Sequence, residues 1–599
     1  MSILARLRAI APIACLFAVT VPAGAQRRPA SPPPAAPFTV VETSIPDLRR
    51  ALETKRITSR ELVRLYLDRI ATYEDRLNAI ITVNPRALAI ADSLDRLRAQ
   101  GRILGPLHGI PVALKDNIHD TTMPTTGGAL AFADLVVPYD ATLATRLKAA
   151  GAIILAKTQM TELANFIASG MPTNYTGLTG FGFNPWDPRR DPREANFDGR
   201  PVMSTGGSSS GVGTNVSFWA ANVGTETSGS ILSPTISNFL VGIKPTVGRV
   251  SRYGVIPITA DQDTPGPMTR TVTDAAIMLG AMEGLAPDPH DSATRLCPPP
   301  AQNDYTAFLK PGALKGARIG IPRTFFYERT APPARGGTQP RGGMGEEQRK
   351  VMDEVIALLK AQGAVIVDPA DIPSVVEPDP DKNFLNWGTC GGLGQGRGMD
   401  ADCSISFKYG MKRDFNAWLA SLGDRAPVKT LTELRTWNVA HQRAGAIRYG
   451  QANLDVSDEM SIQGDRAKYL ADRRKDVLLS ATTGIDAAVK SNQLDALLFP
   501  GVSPANIGAR AGYPTVFVPY AFIPPAPAGG GGGGGGAGGP GGGAGGAAGA
   551  NAFPAGWVQQ ASPFGVSFTG PACSEPKLIA IAYAFEQVTK KRIAPPLFP

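Results

Sequence analysis

The sequence predicts an α/β protein whose sheet is covered by helices. Helical stretches alternate with short apolar strands through the first 155 residues, and again between residues 317 and 367. Glycine and proline bound the apolar runs, as expected where strands end. With 599 residues, 43% of them hydrophobic, the chain can build a large core, and enzymes of this size are often one catalytic unit.

Residues 1–25 carry Arg6 and Arg8, an apolar run over 10–21 and an A-x-A cleavage site at Ala23-Gly24-Ala25, the pattern of a secretory signal peptide. No other stretch is long and apolar enough to span a bilayer. The expected mature protein is secreted or periplasmic, without stable membrane insertion. Residues 26–37, rich in proline and alanine, read as a disordered leader, and 38–599 as the catalytic domain.

Thr58 and Glu61 form a capping box, followed by Leu62, Leu65, Ile70 and Tyr73 at helical spacing. Residues 79–83 are predicted as a strand, 86–100 as a helix, and 110–114 as a buried strand ending in Lys115. A helix over 141–150 stops at Gly151 and a strand follows at 152–155. Residues 184–201, rich in proline, arginine and aspartate, read as a surface loop, and 239–247 as buried strand and turn.

Further on, strands are predicted at 317–321 and 365–367 around a helix over 346–362, with Glu346 and Glu347 at its positive end. Residues 384–455 read as helix and loop. Strands are expected at 494–499, 515–518 and 564–568, with a last helix from Ser574, whose hydroxyl suits a cap and whose Pro576 suits a first turn. Residues 524–550 are almost wholly Gly, Ala and Pro, too poor in apolar area to offset ordering entropy, and read as a flexible insertion between strands.

Loss of the signal removes Cys15 and leaves Cys297, Cys390, Cys403 and Cys573, for which three pairings exist. Cys390 and Cys403 bracket a glycine-rich loop and are the favoured pair, with free thiols the alternative; the spacing fits no zinc motif. The net charge of +9 is spread among interspersed acids and bases, without a basic run interleaved with aromatics, so nucleic-acid binding is not expected.

The chemistry centres on residues 205–234, TGGSSSGVGTNVSFWAANVGTETSGSILSP, with candidate nucleophiles Ser208 and Ser230. Glycine beside serine lets successive backbone N–H groups converge on one oxygen, as an oxyanion hole requires. A serine hydroxyl needs a base. The four histidines, His108, His119, His290 and His441, lack a recognisable acidic orienter, whereas Lys115 closes a buried strand, where desolvation favours the neutral amine.

Together with GIPVALKDNI, GIKPTVGRVSRYGVIP, DTPGPMTRTVTDAA and GVSFTGPACSEPKLIAIAYAFEQVTKKR, this stretch resembles the amidase signature family of serine hydrolases. The resemblance implies a large twisted mixed β-sheet covered by helices on both sides and amide hydrolysis without metal or organic cofactor. It further implies Ser230 as nucleophile, Ser208 as the bridging serine on an unusual cis peptide and Lys115 as base. The N–H groups of Thr227, Ser228, Gly229 and Ser230 would form the oxyanion hole, and the substrate would be a small-molecule or peptide amide.

Ser228 stands where the family commonly has glycine. The two serines are about two residues closer than the family pattern, near Phe218-Trp219, so the helix between them should be reset or unwound.

Three other readings compete. An α/β-hydrolase elbow at residues 207–211 would make Ser209 the nucleophile and needs a preceding strand and a late histidine such as His441. A shortened serine segment could leave an impaired or binding-only relative. The glutaminase component of a tRNA-dependent amidotransferase shares the motifs but works inside the cell. Ser574 to Lys577 also fits S-x-x-K, with helix capping the preferred reading.

Overall fold

The computed structural model describes residues 38–207, 211–333, 339–525 and 552–599. The expected signal peptide and leader, Ser208, Ser209 and nearly all of the glycine-rich insertion lie outside them.

Eleven strands form one mixed sheet: β1 (Ile80–Val83), β2 (Pro111–Lys115), β3 (Ile153–Thr158), β4 (Ala221–Glu226), β5 (Val241–Lys244), β6 (Thr264–Thr269), β7 (Arg318–Gly320), β8 (Val365–Val367), β9 (Ala496–Pro500), β10 (Thr515–Ile523) and β11 (Ser562–Thr569). Their spatial order is β1-β3-β2-β4-β6-β5-β10-β11-β9-β7-β8. β3, β2 and β4 run parallel, as do β9, β7 and β8, while the pairs from β4 through β6, β5, β10, β11 and β9 are antiparallel. Every residue of β2 to β6 is buried, so the sheet is covered on both faces there, which explains why β2, β3 and β5 read as apolar runs rather than as alternation.

Most sequence-predicted elements appear within a residue or two. The Thr58–Glu61 capping box closes Ser59–Leu77, with the Glu61 carboxylate accepting from Thr58 N–H at 2.8 Å. Gly151, at φ +88°, terminates Thr142–Ala149. β6 is unforeseen, because TPGPMT reads as loop. It pairs with β4 along Thr264 to Met268 but with β5 only at Met268 and Thr269, which leaves Pro265 and Pro267 an open flank for their missing N–H groups. The final helix is Glu575–Thr589, yet Ser574 does not cap it: its hydroxyl donates to Pro571 O at 2.7 Å.

Between the two serines the helix is indeed cut short. Val212–Asn215 makes a single turn, Ser217 takes φ +57°, and the chain enters β4 four residues later. The Trp219 ring packs so closely on Gly213 that a Cβ there would lie 2.1 Å from it, and its Nε1 donates to Thr214 Oγ1 at 2.8 Å. Buried Arg270 ties both sides of the turn through Thr214 O and Trp219 O, at 3.0 and 3.1 Å. The chain thus passes through a locked turn ahead of β4, where the expected shortening falls.

The four cysteines among the described residues are paired. Cys390–Cys403 closes the glycine-rich loop, and Cys297–Cys573 joins segments 276 residues apart. The C-terminus is clasped as well: Arg69 donates to Phe598 O and Pro599 O at 3.0 and 2.7 Å, Phe598 is buried under Arg76 and Tyr73, and Arg592 pairs with Glu42 at 2.8 Å.

Candidate active site

β2 and β4 are parallel neighbours, with Leu114 opposite Val223, so their C-terminal ends deliver Lys115 and Thr225 side by side. Lys115 is fully buried and its Nζ donates to Thr225 Oγ1 at 2.9 Å and Thr225 O at 3.2 Å. Asn117, two residues on, donates to the same hydroxyl at 3.0 Å. Burial carries the lysine ammonium down to about 7, against the opposing pull of the Asp263 and Glu226 carboxylates. The amine can therefore exist neutral near physiological pH.

β4 ends at Glu226 and the chain turns through Thr227, Ser228 and Gly229 to Ser230. Gly229 takes φ +88°, which a side chain would resist. Glu226 braces the far side of the turn, its Oε2 accepting from Ile231 N–H and Leu232 N–H at 2.8 and 3.0 Å. Thr227 is held by its hydroxyl, which donates to Asp263 Oδ1 at 2.5 Å, and by its carbonyl, which accepts from Gln262 at 3.1 Å. Among the described residues, the N–H groups of Thr227, Ser228, Gly229 and Ser230 have no backbone acceptor. Four donors on one turn beside a nearly buried serine can receive an oxyanion.

The upstream glycines come to the same place. A Cβ on Gly207 would lie 3.7 Å from Ser230 Oγ, and Gly206, at φ +91°, presses on Pro234 so closely that a Cβ there would meet its nitrogen at 2.3 Å. Thr161 donates to Gly207 O at 2.6 Å, Asn238 donates to Thr205 O at 3.1 Å, and Thr205 bonds Asn174. Ser208, next in sequence, is outside the described residues, and so is Ser209. The elbow reading lacks its strand, since residues 197–205 are irregular, and His441 is stacked on Trp437 with centroids 3.8 Å apart. His119 is buried beneath Trp418, which donates to its Nε2 at 2.8 Å.

Sequence reasoning missed Thr225, Asn117, Asp263 and a second buried lysine. Lys157 pairs with Asp116 at 3.2 Å and donates to Thr125 Oγ1 at 2.8 Å, which fixes the chain next to Lys115. Asn117 could have been found from its place two residues past the strand-ending lysine, and Thr225 from its place just ahead of the serine turn. Asp263 opens the DTPGPMTRTVTDAA motif, but nothing local to it marks it as the partner of Thr227.

The apolar side of the site comes from afar. Phe407, Met411 and Phe415 of Ser406–Ser421 join Leu163, Phe166, Ile256 and Ile258 in one cluster. Leu163, Ala164 and Asn165 are consecutive left-handed residues, a conformation costing roughly 1–2 kcal/mol each. Ala164 shares a small cavity with Asn117, Thr225, Thr227, Asp263 and Ile258. The loop approaching Thr205 is stiffened by three Asp-x-Arg clamps, Asp187–Arg189, Asp191–Arg193 and Asp198–Arg200, at 2.7, 2.6 and 2.5 Å.

The "Amidase" family model matches residues 61–579. An Arabidopsis thaliana protein described as "Probable amidase" is 32% identical over 566 residues, 94% of this chain and 92% of that one. A "Putative amidase" of Arthroderma benhamiae is 31% identical over 538 residues, 89% of this chain and 79% of its own. Among solved structures, the peptide amidase of Stenotrophomonas maltophilia is 33% identical, with a TM-score of 0.73 over 93% of this chain and 99% of that one. An amidase family protein from Bacillus anthracis is 27% identical, with a TM-score of 0.72 over 93% and 92% of the two chains. With these likenesses spanning sheet, serine turn and final helix alike, the chain belongs to the amidase family of hydrolases.

Proposed function

We propose that this chain is an exported amidase that opens the C–N bond of peptide or small-molecule amides through an acyl-enzyme on Ser230. The observation that carries the reading is Lys115: a fully buried lysine, brought down to about 7, bonded to the threonine that leads into the serine turn. Ser230 Oγ attacks the amide carbonyl carbon while its proton passes through Ser208 to the neutral Lys115 amine. The carbonyl oxygen takes up negative charge facing the N–H groups of residues 227–230. As the C–N bond breaks, the proton held by the lysine returns through the serine relay to the leaving amine. Water then adds to the acyl carbon by the same route, releases the carboxylic acid and restores the Ser230 hydroxyl.

The likeness to a peptide amidase over nearly its whole length supports peptide amides as substrates. The A-x-A site and the paired cysteines support export to an oxidising compartment. Labelling with a fluorophosphonate followed by peptide mapping tests the reading: the label should sit on Ser230 and be absent from Ser230→Ala. A label on Ser209, or undiminished anilide turnover in Ser230→Ala, would overturn it.

A further inference from the structure

Asp263 stands on the loop before β6 and is nearly buried, with no counter-ion within bonding distance among the described residues. Its Oδ1 accepts the Thr227 hydroxyl at 2.5 Å, and its Oδ2 accepts Ile258 N–H and Thr259 N–H at 2.9 and 3.0 Å. It lines the same small cavity as Thr225 and Thr227. Burial holds its carboxyl up at about 7, against the Thr227 hydroxyl and the Ile258 N–H; Asp414 adds to the rise, and Arg252 opposes it. A carboxylate kept in so costly a place, bonded to the first residue of the serine turn, calls for a role.

We propose that Asp263 is a positioning residue of the Ser230 site: it fixes the serine turn through the Thr227 hydroxyl, and in its ionised form it favours the protonated Lys115 amine, whose partner Thr225 lines the same cavity. The inference rests on the Ser230–Lys115 reading above. Three bonds converge on one carboxylate, and they tie the turn to the 258–259 loop. That loop is itself held by the neighbouring helix, where Asp414 accepts Ala260 N–H at 2.7 Å. The turn therefore cannot shift without moving the loop that walls the site. The carboxylates whose charge acts on Lys115 are Asp263 and Glu226. The Glu226 Oε2 is engaged with the N–H groups of Ile231 and Leu232, which leaves Asp263 as the carboxylate bonded to the Thr227 side of the turn.

The two effects separate by substitution. Asp263→Asn removes the charge and puts an amide N–H where one carboxylate oxygen accepted. Thr227→Val removes only the hydroxyl, and Thr227→Ser keeps it. Loss of an opposing charge makes the lysine easier to deprotonate, so the ascending limb of kcat/KM against pH should move to lower pH by about one unit in Asp263→Asn. The plateau of kcat should fall at least tenfold, with KM changed less. Thr227→Val should lower the plateau and leave the limb in place, and Thr227→Ser should restore most of the rate.

Fluorophosphonate labelling and near-ultraviolet circular dichroism of each variant report whether the fold is intact. If Asp263→Asn does not fold, Asp263→Glu serves instead: it keeps the charge, so its limb should stay at the parent position while its plateau falls. A folded Asp263→Asn with the parent limb, a folded Asp263→Glu with a displaced limb, or Thr227→Val at full rate overturns the inference. Persistence of the parent limb in Lys115→Ala would instead overturn the underlying reading.

Discussion

Replacing Lys115 with methionine should make the protein more stable as it destroys activity, and the gain should depend on pH in a way that reports the buried amine. The unfolded lysine titrates at its ordinary 10.5 and the folded one at about 7. Between those values the unfolded chain binds the extra proton, so the stability contributed by Lys115 rises with pH; below about 7 both states are protonated and the penalty is constant. At about 1.4 kcal/mol per pH unit, holding this lysine costs roughly 4 kcal/mol at pH 7. Methionine removes that cost but also takes the Lys115 donor from Thr225 O and Oγ1, the latter still served by Asn117, which gives back about 1–3 kcal/mol regardless of pH. Urea unfolding of parent and Lys115→Met at pH 6.0, 7.5, 8.5 and 9.5, with disulfides intact, measures the difference. It should be flat below about pH 7 and shrink by about 1.4 kcal/mol per unit above it. Lys244, lowered to about 8, and Lys157, which burial also lowers, are common to both proteins and cancel. A difference constant from pH 6.0 to 9.5 would show that Lys115 stays charged in the folded protein, and would refute it as base.

The same titration governs turnover: kcat/KM on an anilide should climb through about pH 7 and level off, with the limb retained in His441→Ala and lost with most of the rate in Lys115→Ala. Ser208→Ala should cost several orders of magnitude in kcat without summing with Lys115→Ala, since the two act in one relay; additive losses would separate them. Replacing residues 528–549 with a short Gly-Ser linker should leave activity within a few fold, because closure cost grows slowly with loop length; loss of folding would show that the segment packs. Cys390→Ser with Cys403→Ser should lower stability by about 3 kcal/mol, seen as a reduced urea midpoint.

What the sequence disclosed follows from the range of the interactions. The strand ending in Lys115, the capping box at Thr58 and the glycine turn before Ser230 are local patterns, and all are where expected. The partners that give them chemical meaning are not local. Thr225 lies 110 residues from Lys115, and Asp263 36 from Thr227. Both contacts depend on which strands the sheet sets side by side. β6 escaped notice because its two prolines are tolerated only where the pairing with β5 has lapsed, a property of the assembled sheet. The Cys297–Cys573 pair is likewise invisible along the chain, whereas Cys390–Cys403 was suggested by the short loop it closes.

The position of β10 and β11 in the sheet sets a schedule for folding. These strands, from the last sixth of the chain, lie between β5 and β9, so a nascent chain not yet past Thr515 has an open edge in the middle of its sheet. Phe598 and Pro599 then close onto Arg69 at the opposite end of the sequence. Synthesis from the N-terminus cannot complete this core domain by domain. Until β10 and β11 are in place, the edges of β5 and β9 stay open to edge-to-edge association.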